Sequence, residues 1–173
     1  GARTLNNDVK PKYITSQSSS IFSKSDLLYS DTSRKKSIGI VTEGYMDVIS
    51  CSQSDDSFSY YASLGTALNS SQVRRILDEH ETVVICTDGD NAGQTSIQKF
   101  IKEQLRNLTH EKVKFVKIPN NQDPDEFIRA EGADEFQKLI LSAKSAKEYI
   151  KKSHTSSDTL SLSEKLDQFN ITP

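Results

Sequence analysis

Four short apolar runs alternate along the chain with segments that repeat apolar residues at helical spacing. The runs are Ile38–Thr42, Ser59–Ser63, Thr82–Thr87 and Val113–Ile118. Runs of this kind that stop at glycine, proline or asparagine are typical of buried parallel strands that lead into a turn and a helix. Alternating strands and helices predict right-handed crossovers. We therefore expect an α/β fold with a mostly parallel sheet of about four strands, flanked by helices.

The remaining segments predict seven helices and an irregular start. The helices are expected at Tyr45–Cys51, about Ser70–Glu79, roughly Ala92–Asn107, Pro124–Ala130, Ala133–Leu141, Ser145–Lys152 and Ser161–Phe169. Asn69 and Gln72 have the spacing of a capping pair, and Asp123 precedes Pro124 as an N-cap precedes a first helical residue. Residues 1–37 mix serines and turn formers with short apolar islands, which predicts irregular structure with brief strands.

Acidic residues follow three of the four predicted strands. Glu43 follows the first strand, Asp88 and Asp90 follow the third, and Asp123 and Asp125 follow the fourth. Open α/β sheets place ligand sites at the carboxyl ends of their strands. Two carboxylates about 4 Å apart repel each other by roughly 1 to 4 kcal/mol, depending on the local dielectric. A cluster of them is therefore expected around a hard cation, and Mg2+ or Mn2+ fits because both prefer oxygen ligands.

Asp47 allows two interpretations. It follows Glu43 by four residues, in the first turn of a predicted helix, so both side chains can point toward one crevice. It can also be an ordinary helix N-terminal acid that interacts with the helix dipole. The sequence leaves both open.

The segment Asp88-Gly89-Asp90 fits some metal and phosphate motifs and excludes others. A calcium EF-hand fails because Ala92 and Lys99 stand where oxygen ligands are required, and a P-loop fails because the lysine is absent. A haloacid-dehalogenase-like phosphohydrolase, with Asp88 as nucleophile and a second aspartate two residues later, stays open. It is weakened because Ala92 stands where that class usually has threonine.

Composition narrows the class of protein. The 173 residues, 34% hydrophobic and 27% charged, suffice for one sizeable core with appendages. No stretch approaches the ~18 apolar residues of a membrane span, and the N-terminus lacks a signal-peptide pattern, so we expect a cytoplasmic protein without membrane contact.

Cys51 and Cys86 offer neither a zinc motif nor a disulfide framework and are expected to be reduced core thiols. The histidines lie in polar stretches and are expected to be solvated.

The charge distribution is uneven although the net charge is only −2. Residues 1–37 hold seven Lys/Arg against three Asp/Glu, whereas residues 38–173 hold fifteen against twenty-one. A basic arm before an acidic body suits a phosphate-rich ligand that cations attract and metal ions bridge. A solvated linker that happens to carry lysines is the alternative.

Four strings in this order resemble the TOPRIM domain of bacterial DnaG-type DNA primases. The strings are VTEGYMDVIS, ASLGTALNSSQ, VVICTDGDNAGQ and QDPDEFI, and the resemblance covers about residues 38–128. EGYMDV and SLGTAL are closer to primases than to the TOPRIM domains of topoisomerases, recombination mediators or nucleases. A looser similarity upstream, around Arg3, Lys12 and Lys24, resembles the basic subdomain that precedes TOPRIM in these enzymes.

The resemblance implies an organisation and residue roles. Residues 1–37 would be a remnant of the basic N-terminal subdomain, residues 38–130 the TOPRIM domain, and residues 131–173 a C-terminal helical segment. Glu43, Asp88 and Asp90 would be the central metal-binding and catalytic acids, Asp47, Asp123 and Asp125 would complete sites for further metal ions, and Arg3, Lys12 and Lys24 would contact nucleotide phosphates or template.

The implied activity is metal-dependent, template-directed synthesis of short RNA primers from ribonucleoside triphosphates on single-stranded DNA, in the bacterial cytoplasm at replication forks. More than one Mg2+ or Mn2+ ion is expected, and no zinc, because no zinc-ribbon cysteine set precedes the domain. The replicative helicase would bind through a region absent from this chain. We expect a catalytic-core fragment, and the alternative is a metal- and nucleotide-binding module that is inactive in isolation. Whether Glu43 acts as a general base stays open.

Overall fold

The structure of the chain is a computed structural model. It describes residues 2–3, 13–14, 26–31, 35–64, 67–153, 164 and 166–167. Two of the predicted basic residues, Lys12 and Lys24, lie outside the described residues. Only the backbone of Arg3 is described.

Among the described residues, eight strands form two sheets. They are β1 (Ala2–Arg3), β2 (Tyr13–Ile14), β3 (Tyr29–Ser30), β4 (Ile38–Thr42), β5 (Ser59–Ala62), β6 (Thr82–Thr87), β7 (Val113–Lys117) and β8 (Lys144–Ser145). β1 and β2 form an antiparallel pair, and the other six strands form one sheet in the order β3-β5-β4-β6-β7-β8. The central strands β5, β4, β6 and β7 are parallel, and short antiparallel strands close both edges. The mostly parallel α/β sheet is therefore confirmed, with two edge strands beyond the four expected.

Within residues 35–64 and 67–153, six α-helices connect or follow the strands. They are α1 (Tyr45–Ser54), α2 (Ser70–Leu77), α3 (Asn91–Glu103), α4 (Pro124–Glu131), α5 (Ala133–Leu141) and α6 (Ala146–Ser153). The predicted helix over Ala92–Asn107 was too long, because α3 ends at Glu103 and a separate 3-10 turn covers Leu105–Asn107. Within the described ranges, no helix is long and apolar enough to cross a membrane.

Two predicted helix starts have the expected caps. The Asn69 side chain accepts a hydrogen bond from the Gln72 backbone N–H at 3.0 Å, and the Gln72 side chain accepts one in return from the Asn69 N–H at 3.0 Å. Asp123 and Glu126 form the same reciprocal pair, at 2.7 and 3.1 Å, at the start of α4. These bonds satisfy backbone N–H groups that have no partner inside the helix.

Alternating side chains of the central strands feed two hydrophobic layers, one on each face of the sheet. In β6, Val83 and Ile85 pack with residues of α2, α3 and α6, whereas Val84 and Cys86 pack with residues of α1, α4 and α5. Side chains alternate between the two faces of the sheet, and helices cover both faces. The sequence of the strand is therefore continuously apolar. Cys51 and Cys86 are free and buried in the second layer, which confirms them as core thiols.

The expectation of solvated histidines was wrong for His80. Its side chain is only 4% exposed, with Nε2 2.7 Å from the Tyr61 hydroxyl and Nδ1 2.6 Å from the Lys36 carbonyl oxygen. The turn after α2 lays the imidazole ring against Gly39, where a Cβ atom would lie 3.0 Å from His80 Cδ2. Partners contributed by distant segments explain why a histidine in a polar stretch is buried.

Candidate metal centre

Five acidic side chains gather at the carboxyl edge of the central strands. Glu43 follows β4 directly and is exposed, and Asp88 follows β6 and is half-buried. Asp90 is the N-cap of α3, and Asp123 is the N-cap of α4. Asp47 lies in the first turn of α1 and is buried. We call these five residues the acidic cluster.

The loops after β6 and β7 interlock at Gly89. Its N–H donates to the Gln122 carbonyl oxygen at 2.8 Å, and the Ile118 N–H donates to the Thr87 carbonyl oxygen at 3.0 Å. A Cβ atom on Gly89 would lie 2.6 Å from the Ile118 oxygen and 2.8 Å from the Asn121 nitrogen. Only glycine permits this approach, which brings the turn carrying Asp88 and Asp90 against the loop that leads to Asp123.

The start of α3 is packed just as closely against the same turn. A Cβ atom on Gly93 would lie 2.3 Å from the Asp88 carbonyl oxygen and 3.1 Å from Thr87 Oγ1. The glycines that follow the acids in sequence therefore set where the acids lie.

Burial, together with repulsion from neighbouring carboxylates, raises the pKa values of three members of the acidic cluster. Burial raises the pKa of Asp88 to about 7, and the charges of Glu43, Asp47, Asp123 and Asp90 add to the shift. Burial also raises the pKa of Asp47 to about 6, together with Asp123 and Glu43 and against a hydrogen bond from the Gly44 N–H. The pKa of Glu43 is raised by burial and by Asp90, against a hydrogen bond from the Asp88 N–H. The chain thus holds like charges within electrostatic reach of one another.

Three members of the acidic cluster also cap helices. Asp47 accepts from the Gly44 N–H at 3.1 Å, Asp90 from the Gly93 N–H at 2.8 Å, and Asp123 from the Glu126 N–H at 2.7 Å. Each of these hydrogen bonds uses one oxygen of a carboxylate that has two, so capping a helix does not prevent a carboxylate from binding a ligand. The two interpretations of Asp47, as helix N-terminal acid and as metal ligand, are therefore compatible.

Asp125 does not join the acidic cluster. Its carboxylate accepts a hydrogen bond from the Ser50 hydroxyl and forms a salt bridge with Arg129, one helical turn further along α4. Its charge is not among the causes that raise the pKa values of Glu43, Asp47 and Asp88. The structure therefore brings five of the six predicted acids together and pairs the sixth elsewhere.

Buried side-chain oxygens without a hydrogen-bond partner in the described ranges lie in the same loops as the acidic cluster. Among the described residues, Thr87 Oγ1, Asp88 Oδ1 and Gln122 Oε1 are buried and have no hydrogen-bond partner. A buried polar atom without a partner costs about 1–3 kcal/mol. Thr87 and Gln122 were missed in the sequence, where their only sign was adjacency to acids at strand ends.

The oxygen donors of the acidic cluster fit Mg2+ or Mn2+ in chemical kind. Within residues 35–64 and 67–153, no three His, Cys, Asp or Glu side chains already form a ready-made metal site. Binding would therefore require carboxylates that now repel each other to draw together around the ion.

Comparison with known proteins identifies the family. Residues 40–128, just over half of the chain, match the family described as Toprim-like. The chain belongs to the Toprim-like family. All five members of the acidic cluster lie inside the matched range, and so does Asp125.

Relatives of this TOPRIM chain are DNA primases. The DNA primase of Rickettsia prowazekii is 37% identical over 146 residues, which cover 81% of the chain and 24% of the relative. A DNA primase domain from Pseudomonas aeruginosa has a similar structure, with a TM-score of 0.79, 32% identity, and coverage of 96% of the chain and 54% of that domain. The catalytic domain of a DnaG primase, solved bound to ssDNA, has a TM-score of 0.74, 28% identity, and coverage of 87% and 50%.

These matches confirm the resemblance to the TOPRIM domain of DnaG-type primases, and with it the TOPRIM-type fold. The chain spans about a quarter of the length of the Rickettsia primase and about half of each solved domain.

Proposed function

We propose that the acidic cluster binds more than one Mg2+ or Mn2+ ion and that, in the whole protein, this site carries out DNA-templated synthesis of RNA primers. Glu43, Asp88 and Asp90 would be the central ligands, and Asp47 and Asp123 would complete sites for further ions. The observation that carries the proposal is Asp88. It has a buried oxygen without a partner in the described part of the chain, and burial together with four further carboxylates raises its pKa.

Phosphoryl transfer requires positioning and charge neutralisation more than covalent chemistry from the protein. Bound Mg2+ or Mn2+ would supply Lewis acidity that neutralises charge on the triphosphate and on the attacking 3′-hydroxyl. Asp88 and Asp90 lie on one backbone turn held by Gly89, so they would fix the position of the reacting phosphate. Alternatively, Glu43 would act as the general base that accepts the hydroxyl proton instead of binding a metal ion. Burial and the charge of Asp90 raise its pKa, which suits that role.

The substrates and partners follow from the relatives. The relatives are named DNA primases, and one of the similar structures is bound to ssDNA. We therefore assign to the whole protein a single-stranded DNA template and ribonucleoside triphosphates. Arg3, Lys12 and Lys24 would contact nucleotide phosphates or template, which would make binding salt-dependent. A replicative helicase would bind outside this chain, in the bacterial cytoplasm.

Two alternatives differ in what they predict. A metal- and nucleotide-binding module without turnover would bind both ligands, but this chain alone would not extend a primer. A phosphohydrolase would form a phospho-aspartate at Asp88. The Toprim-like match together with the relatives named DNA primases favours nucleotidyl transfer over the phosphohydrolase.

Primer synthesis by the full-length protein tests the proposal. Glu43→Gln is expected to lower the rate by at least roughly a hundredfold, whereas Glu79→Gln, a half-exposed glutamate that pairs with Lys35, is expected to match the wild type. Wild-type rates for Glu43→Gln would contradict the proposal. The 173-residue chain in the same assay separates an active core from an inactive module.

A further inference from the structure

Charge is segregated between the two faces of the large sheet. Helices α3 and α6 pack on one face, and α4 and α5 pack on the other. Residues 99–117 and 144–151, which run from α3 to β7 and from β8 into α6, hold nine Lys/Arg against three Glu. Residues 119–141, which include α4 and α5, hold two Lys/Arg against six Asp/Glu. Solvated surfaces intersperse the two signs, so this separation favours a negatively charged partner on the α3 and α6 side.

Helices α3 and α6 flank the same strand, β7. The ring centroid of Phe115 in β7 lies 6.1 Å from that of Phe100 in α3 and 6.2 Å from that of Tyr149 in α6. β8 pairs with β7 and places Lys144 opposite Phe115. The cations of these elements therefore share one stretch of surface. We call its exposed members the basic edge: Lys99, Lys102, Arg106, Lys112, Lys144 and Lys151.

The cations of the basic edge are not paired with acids. The salt bridges within the described ranges all involve other cations. Glu148, an acid beside the basic edge, accepts hydrogen bonds from the N–H and the hydroxyl of Ser145, at 2.9 and 2.8 Å. These bonds lower the pKa of Glu148, and the charges of Lys144 and Lys114 lower it further. The positive charge of this surface is thus left for a partner.

The side chains of the basic edge suit the backbone of a double helix. Proteins that bind single-stranded nucleic acid combine cations with aromatic rings on which the bases stack. Here the nearby rings face the core, since Phe100 and Phe115 are 5% and 1% exposed and Tyr149 packs against the same core. Cations without a stacking surface contact phosphates, which duplex DNA presents at about one charge per 1.7 Å of its axis.

The basic edge is connected to the acidic cluster through α3. This helix begins at its N-cap, Asp90, a member of the cluster. Lys99 and Lys102 lie further along the helix, about 14 and 18 Å from its start at ~1.5 Å per residue. A duplex with its growing end at the acids can therefore extend along these lysines.

We propose that the basic edge binds the sugar–phosphate backbone of the duplex formed by the template and the new primer. The identity of this duplex rests on the proposed function, whereas the surface itself does not require metal ions. The inference adds a contact surface on α3, β8 and α6 that is separate from the acidic cluster.

Fluorescence anisotropy of a labelled RNA–DNA hybrid, measured with the 173-residue chain in EDTA, tests the basic edge without metal ions. The second probe is the DNA strand of the same hybrid alone. Lys102→Gln/Lys151→Gln removes two charges from the basic edge, and the matched control Arg129→Gln/Lys138→Gln removes two from exposed positions on α4 and α5. Lys102→Arg/Lys151→Arg keeps the charge and controls for any effect of substitution on folding.

The change Lys102→Gln/Lys151→Gln is expected to weaken hybrid binding roughly fivefold or more. It should also reduce the slope of log affinity against log salt concentration by about 2, because each lost phosphate contact releases about one counterion fewer. The control and the arginine variant should stay within about twofold of the wild type, because distant exposed charges are screened by salt. Binding of the single strand should change by less than about twofold in all variants.

Three results would overturn the inference. Equal losses of hybrid binding in both glutamine variants would mean that net charge, and not this surface, holds the duplex. Equal losses for the hybrid and the single strand would make the basic edge a single-strand site. Self-association of the chain in sedimentation, lost only in Lys102→Gln/Lys151→Gln and accompanied by unchanged hybrid binding, would assign the surface to the acidic face of a second copy.

Failure of the inference can be told apart from failure of the proposed function, because EDTA removes metal ions from the binding assay. If the predicted hybrid binding is absent while Mg2+ still stabilises the chain in thermal unfolding, the inference alone fails. If the response to Mg2+ is absent as well, the proposed function fails with it.

Discussion

Two aspartates at opposite ends of the central strands differ in how their carboxylates are satisfied. Asp55 precedes β5, is 5% exposed, and accepts hydrogen bonds from the Tyr60 hydroxyl at 2.9 Å, the Ser57 N–H at 2.9 Å and the Gln137 amide at 2.8 Å. Asp88 follows β6, and one of its oxygens is buried without a partner in the described part of the chain.

The hydrogen bonds of Asp55 are those of a structural carboxylate, whereas the arrangement of Asp88 is that of a carboxylate that binds a ligand. Buried polar groups in folded proteins are almost always hydrogen-bonded, so an exception requires its own explanation. The neighbours of Asp55 are donors that stabilise its charge, whereas the neighbours of Asp88 are carboxylates that oppose it. Folding alone would not favour the second arrangement, but a bound cation would.

Gly89→Ala would break the backbone contact that brings the acids together, and we expect the largest loss of stability from it. The new Cβ atom would clash with backbone atoms of Ile118 and Asn121, which should cost about 3 kcal/mol. Urea denaturation measures this loss. Asn91→Ala, at an exposed position two residues later, should stay within about 0.5 kcal/mol. A mild effect of Gly89→Ala would mean that the two loops do not interlock.

Asp55→Ala would remove the acceptor from three donors. We expect a loss of about 2 kcal/mol, because the Tyr60, Ser57 and Gln137 groups would lose their partner. The loss should be the same with and without Mg2+ in thermal unfolding. Asp56→Ala, at a neighbouring position that is 83% exposed, should change stability by less than about 0.5 kcal/mol. Equal effects at both positions would refute a structural role for Asp55.

Asp88→Asn should raise the stability of the metal-free chain, whereas the two preceding changes lower it. Without metal, it removes one charge from the acidic cluster and should raise stability by about 1 kcal/mol, or roughly 2–4 °C in melting temperature for a chain of this size. This difference in stability should disappear at saturating Mg2+, because the bound ion stabilises the wild type and not the variant. A lower melting temperature for the metal-free variant would argue against repulsion at this site.

The pH dependence of the metal-free chain sharpens the same point. The pKa values of Asp88 and Asp47 are about 7 and about 6 in the folded chain, against 3.8 for an unperturbed aspartate. The folded state therefore binds protons more tightly. The cost of burying these two charged carboxylates beside other acids is full above about pH 7 and is relieved as pH falls toward 4.

We expect the metal-free wild type to melt at a higher temperature at pH 6 than at pH 8. The difference should be below about 1 kcal/mol, because Asp88 is only half-buried and solvent screens its interactions. Asp88→Asn should show a smaller difference in the same measurement. A wild type that is more stable at pH 8 would reverse the predicted sign.

Asp125→Asn should have the smallest effect. Its carboxylate binds Ser50 and Arg129 rather than the acidic cluster, so the loss should be about 0.5 kcal/mol. The Mg2+ concentration at the midpoint of thermal stabilisation should stay within about twofold of the wild type. Loss of the metal response would instead place Asp125 among the ligands.

The central strands were predictable because each buries both faces and so appears in the sequence as a continuous apolar run. The bounds of β4 and β6 agree with the prediction residue for residue. β8 was missed, since its two residues carry no such pattern and form a strand only by pairing with β7. The start of the helix predicted at Ser145 moved by one residue for this reason.

The candidate site was predictable as far as it depends on strand ends. Parallel strands place their carboxyl ends at one edge, so Glu43, Asp88 and Asp123 were expected to converge. The position of Asp125 depends on side-chain pairing, although its spacing of four residues from Arg129 on a helix was a usable sign. The burial of Thr87 Oγ1 depends on how the start of α3 packs against the sheet, which no local pattern encodes.

The central claim is that these acids form one shared metal site. The most direct test is the melting temperature of the chain measured at increasing concentrations of Mg2+ or Mn2+. The variants are Glu43→Gln and the double change Asp88→Asn/Asp90→Asn, with Glu79→Gln as control. An ion at about 100 times its Kd stabilises the native state by ~2.7 kcal/mol, so the wild type and the control should melt at clearly higher temperatures with metal, whereas both cluster variants should respond weakly. Equal responses from all four proteins would contradict a shared site at these acids.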